Sequence, residues 1–135
     1  MRALIVALAC FACGGKPAPK QPPPPLDAKQ LAKLLDDDMS ALAELTHRQR
    51  GNCGALAAEL RPLTERMKLH AAEVETMSAD PAKLRELRSA LAAYAKQTPA
   101  RTDRMVEDFK VTGSACTDDE ERNRLGAAIR NIPTF

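Results

Sequence analysis

Cys53, Leu56, Leu60, Leu63, Met67, His70, Val74 and Met77 follow one another at alternating steps of three and four residues. Only an α-helix gathers such a set onto one stripe, because its turn returns to the same face every three or four positions, whereas a strand does so at every second. The same stepping recurs in Leu31, Leu35, Met39, Leu42, Leu45, again from Leu84, Leu87, Leu91, Tyr94, Thr98, Thr102, Met105 to Phe109, and in Leu125, Ala128, Ile129, Ile132. From Asp27 onward there is no strand-like alternation and β-branched residues are sparse. The expected fold class is all-α.

Capping residues punctuate these stripes. Asp27 with Gln30 three positions on has the form of a capping box, and Gly51-Asn52 suits a left-handed helix stop followed by a new N-cap. Asp80-Pro81 reads as an N-cap with proline in the first turn, where the missing N–H costs nothing. Thr117-Asp118-Asp119-Glu120 opens the last helix with carboxylates over the positive end of its dipole. The third stripe keeps its phase across Pro99, so one long kinked helix is expected there, and four helices in all.

Short connections between sequential helices favour antiparallel neighbours, hence an up-down-up-down antiparallel four-helix bundle over residues 27–135. In that topology helices 2 and 4 start at the same end, and their starts carry Cys53 and Cys116. A disulfide between these two is expected if the chain reaches an oxidising compartment.

The first residues point to such a route. Arg2 precedes a ten-residue apolar run, Ala3 to Ala12, that ends in small side chains. A bilayer span needs about 20 apolar residues, so the run reads as a removable export signal. Cys13, with Ala12 before it and Gly14-Gly15 after, resembles the lipobox of bacterial lipoproteins, whose cysteine is acylated and becomes the new N-terminus. Cys10, preceded by Ala7-Leu8-Ala9, is the alternative register. The resemblance implies a signal peptide over 1–12, a lipidated cysteine and Pro-rich tether over 13–26, and a membrane partner reached through the anchor. Gly14 after the cysteine implies the outer membrane, facing the periplasm or the cell surface, in a Gram-negative source. A CxxC redox or metal pair at Cys10 and Cys13 would need a surrounding scaffold or two further ligands. GKPAPKQPPPPL has no periodic apolar face and too little apolar surface to offset its ordering entropy. Between Gly14 and Leu26 such a tether reaches roughly 40 Å at about 3.1 Å per residue.

The remaining 109 residues suffice for one compact core. Once Arg2, Lys16 and Lys20 are set aside, 17 basic residues face 18 acidic ones, and Tyr94, Phe109 and Phe135 are the aromatic residues of this part. Nucleic-acid readers normally carry a basic stripe with stacking aromatics, so no nucleic-acid partner is expected. Asp36-Asp37-Asp38 cannot converge on one calcium ion, since successive helical residues point about 100° apart, and the run reads as a solvated face. No serine, histidine and acid cluster can be assembled and the cysteines are committed, so no enzyme and no cofactor are expected.

His70 interrupts an apolar seam with Met67 one turn before it. A haem or metal carrier using both is the alternative function, as four-helix b-type cytochromes use a Met and a His. The chain is similar to those in helix count, while its last helix has no His and no CxxCH occurs. Leu45-Thr46-His47-Arg48-Gln49 matches LTxxQ, a motif of small periplasmic chaperones, where it recurs near helix starts. A third feature is geometric. Pro62 and Pro99 fall at one height and bend their helices, and the last helix is too short to cover Met67, His70, Val74 and Met77. These four are the expected groove for a protein or peptide partner on a binding or structural module.

Overall fold

The computed structural model describes residues 24–134. It contains five helices: α1 Ala28–Arg48, α2 Cys53–Met77, α3 Pro81–Gln97, α4 Arg101–Ala115 and α5 Asp119–Arg130, with no strand among the described residues. The export signal, Cys10, Cys13 and most of the tether lie outside those residues.

The caps form where the side chains dictate. Asp27 accepts the Gln30 N–H at 2.8 Å while the Gln30 side chain accepts the Asp27 N–H at 3.0 Å, closing the capping box of α1. Asn52 caps α2 through the Ala55 N–H at 3.1 Å, and Asp80 caps α3 through Ala82 and Lys83. Between α1 and α2 the chain turns at Gly51, whose φ of 80° is open to glycine and strained for other residues. At α5 the cap is Asp118, which accepts the Glu121 N–H at 2.9 Å.

The expected single helix across Pro99 is two helices. Pro99 has no N–H to donate and its ring pushes Thr98 out of the α region, to φ −132° and ψ 58°. Pro62 carries the same handicap, yet α2 runs through it. The difference is tertiary. Leu60, Thr64 and Met67 on both sides of Pro62 are buried, so packing offsets the lost hydrogen bond. Thr98, Pro99, Ala100 and Thr102 are all exposed and nothing holds the chain helical.

α2 returns antiparallel to α1: Cys53 shares a core cluster with Leu45, and Met77 shares another with Ala28. α3 and then α4 run alongside α1 in its own direction, Leu87 near Leu31 and Thr112 at Gly51. α5 lies along the first half of α2, with Leu125 buried beside Leu56 and Leu60. The domain therefore has two unequal halves. Four helices, α1, α2, α4 and α5, enclose the cluster around Leu42, Leu56, Leu60 and Met105. Three, α1, α2 and α3, enclose the cluster around Leu31, Leu35, Met77 and Leu87.

Cys53 and Cys116 are joined, with S–S 2.01 Å and Cα atoms 5.4 Å apart, and both are buried. The bridge ties the start of α2 to the residue that leads into α5. α5 itself buries one residue completely, Leu125, and is otherwise rich in charge. Replacing both cysteines by serine is expected to lower stability by about 4 kcal/mol, since the bridge closes a loop 63 residues long. Denaturant titration reads the loss, and hydrogen exchange should show α5 amides losing protection first.

Candidate functional site

Along the α1 seam, Asp38 stands between Leu35 and Leu42, where the spacing pointed to Met39. Asp38 is 1% exposed and Met39 half-buried. Its carboxylate receives the Arg66 Nε–H at 2.8 Å, and its second oxygen lies 2.6 Å from His70 Nδ1. The imidazole that interrupts the α2 seam thus faces the carboxylate that interrupts the α1 seam.

The Asp36-Asp37-Asp38 run separates as its helical angles require. Asp36 takes Arg101 of α4 at 2.6 Å, Asp37 takes Lys33 on the surface at 2.7 Å, and Asp38 turns into the core. A solvated face therefore holds for Asp37 alone. The hydrogen bond and attraction of Asp37 hold the Lys33 ammonium above its ordinary pKa, and Lys68 likewise holds the Glu65 carboxyl below its own.

A second buried carboxylate, Asp108, fastens α4 to the α1–α2 turn. It lies 3.2 Å from His47 Nδ1 and 3.2 Å from Arg50 Nε. Beside it, the Thr112 hydroxyl accepts the Gly51 N–H at 3.0 Å and donates to the Asp108 carbonyl at 2.8 Å. Every buried side-chain N or O atom among the described residues has a hydrogen-bond partner. Asp108 escaped the sequence reading because Met105 and Phe109 account for the apolar stripe without it.

The expected groove is filled. Met67 is 0% and Met77 8% exposed, both inside the core, and Val74 packs against the three-helix cluster. His70 is committed to Asp38. Open space remains between α2 and α5, where a cleft of about 620 Å³ lies along Ala57, Arg61 and Ala128, and at the prolines. A cleft of about 450 Å³ separates α1 from the α3–α4 break, with Ser40, Ala43, Glu44 and His47 on one wall and Thr98 to Arg101 with Arg104 on the other. A shallower one flanks Pro62 between α1 and α2 and shares Glu44 with it.

The partly buried Asp36 and the buried Asp108 set the walls of the cleft at the α3–α4 break. Asp36 and the Ser40 hydroxyl, 2.9 Å from Arg101 Nη1, fix the Arg101 guanidinium. Asp108 holds the His47 Nδ1 edge, leaving a ring 64% exposed. Glu44 and Arg104 have no ion-pair partner among the described residues. Such a space, apolar at Ala43, Pro99 and Ala100 and polar at its rim, has the dimensions and character of a small-ligand or peptide-side-chain site.

As arranged, Met67 and His70 do not fit a haem or metal role: the thioether is sealed in the core and the ring is held by a carboxylate. No group of three potential metal-ligating residues occurs among the described residues. In LTxxQ, Leu45 and Thr46 are core residues and the Gln49 amide donates to Glu59 at 2.7 Å, so the motif serves packing and the helix end. No family model, curated protein or solved structure matches the chain.

His70→Leu is expected to cost about 2 kcal/mol, because it leaves the Asp38 carboxylate buried with Arg66 as its one charged partner. Adding Asp38→Leu should recover most of that loss, since an apolar pair then replaces the buried carboxylate and its imidazole partner. Denaturant unfolding of the single and double variants measures the coupling.

Proposed function

We propose that this chain is a lipid-anchored protein of the bacterial cell envelope, its helical domain carried on the Pro-rich tether and acting as a non-enzymatic binding or structural module. The observation that carries the reading is the buried Cys53–Cys116 disulfide in a chain that opens with an apolar run and a lipobox-like cysteine. Bridges of this kind persist in oxidising compartments. Among the described residues no helix is long and apolar enough to cross a membrane, so attachment would fall to the lipid. Cys13 is the favoured acylation site and Cys10 the alternative; Gly14 favours the outer membrane over the inner. The finer architecture fits a bundle whose third leg is broken and whose fourth is short.

The anchoring half of the proposal is tested by mass spectrometry of the membrane-extracted protein from a Gram-negative host. The expected mass is that of a chain starting at an acylated Cys13, and Cys13→Ser should leave the protein unacylated. A full-length chain with no lipid overturns it.

The binding half assigns partner contact to the cleft between α1 and the α3–α4 break, whose walls are held in place by Asp36 and Asp108. A photo-crosslinking side chain at Glu44 should capture a discrete species in cells, whereas one at Arg130 on α5 should not. Equal capture at both positions, or none at Glu44, would count against the cleft.

A further inference from the structure

α3 differs from the other helices in its charge. It carries Lys83, Arg85, Arg88 and Lys96 against Glu86, whereas in α1, α2, α4 and α5 the acidic residues equal or outnumber the basic ones. The nearest basic group to Glu86 is Lys29 of α1, at 4.0 Å. None of the four α3 cations belongs to an ion pair among the described residues.

Helical geometry collects three of these cations on one side. Leu84, Leu87 and Leu91 turn inward to the three-helix cluster. At about 100° per residue, Arg85, Ser89, Ala92 and Lys96 then point away from it, with Arg88 on the flank. All five are exposed, as is Ala82. From Arg85 to Lys96 the strip extends roughly 17 Å along the axis at about 1.5 Å per residue. The residues between the cations are small, which lets a flat surface approach them. The one aromatic residue of α3, Tyr94, packs inward, so no stacking platform for bases faces outward.

The placement of α3 identifies the surface. Leu26, where the tether enters the domain, packs in the same cluster as Leu84 and Leu87. α3 therefore begins beside the segment that leads to the anchor, within the tether's reach of roughly 40 Å. We propose that the outer face of α3, through Arg85, Arg88 and Lys96, rests on an anionic phospholipid surface. The choice of a membrane over other polyanions rests on the anchoring proposal, but the contact itself needs no acyl chain. Each lysine or arginine near such a surface contributes about fivefold in affinity, so three contribute roughly a hundredfold.

The test uses the unacylated Cys13→Ser protein, co-sedimented with vesicles of phosphatidylcholine alone or mixed with phosphatidylglycerol. Binding is expected with phosphatidylglycerol only, weakening as salt rises. The triple variant Arg85→Gln, Arg88→Gln, Lys96→Gln should lose roughly a hundredfold. A variant of the same net charge, Arg61→Gln, Lys110→Gln, Arg130→Gln, should bind like its parent. These residues are exposed, and an unchanged circular dichroism spectrum verifies folding. The proposal is overturned if the parent ignores anionic vesicles, if the α3 variant binds like the parent, if the control variant loses as much, or if duplex DNA is bound and vesicles are not. Loss of acylation in cells with vesicle binding intact would defeat the anchor and leave the α3 surface standing.

Discussion

A carboxylate buried on one helix opposite a partly buried imidazole on the next sets the register of this domain. Asp38 and His70 occupy equivalent places in the α1 and α2 seams, each flanked by leucine or methionine, and meet at 2.6 Å. Sliding α2 by one turn would press each against an apolar partner and leave Asp38 charged in a low-dielectric core, a penalty of several kcal/mol. The belt that these residues form with Arg66, Asp36 and Arg101 also marks the boundary between the four-helix and three-helix halves. Packing around α1 follows from that boundary, because α1 touches α2, α3 and α4 along its length.

The second carboxylate repeats the device at the other contact. Asp108 brings α4 to the α1–α2 turn, where His47, Arg50 and Gly51 meet it and Thr112. Both acids are fully satisfied, so their cost is contained. Asp108 orients the His47 ring at the cleft, and Asp36, next to Asp38, orients Arg101 across from it. The groups that position the helices are the groups that shape the cleft. Such dual use explains how a domain with few aromatic residues presents a defined recess beside a proline break.

Much of the architecture was legible. Asp27, Asn52 and Asp80 are caps because their short polar side chains reach the free N–H groups of the turn that follows, a local matter. The disulfide followed from placing two helix starts at one end. Total charge misled, since near neutrality over the domain conceals a cationic α3 among neutral or slightly acidic neighbours. A sum carries no position, and surface potential is set by position. Asp38 was hidden for a related reason: within a run of three acids each residue looks alike, and which of them is buried is decided by the helix it faces.

Local chemistry, then, was enough to specify four of the five helix starts and the cysteine pair, because periodicity, capping and covalent bonding act over a few residues or between residues with one available partner. The fate of each proline, the burial of Asp38 and Asp108 and the position of the cleft are long-range outcomes. Both prolines are exposed, but Pro62 stays helical because Leu60, Thr64 and Met67 around it are buried, whereas the residues from Thr98 to Ala100 are all exposed. That contrast is invisible until α1, α2 and α4 are assembled, since the packing free energy that holds a strained or charged group comes from partners distant in the chain.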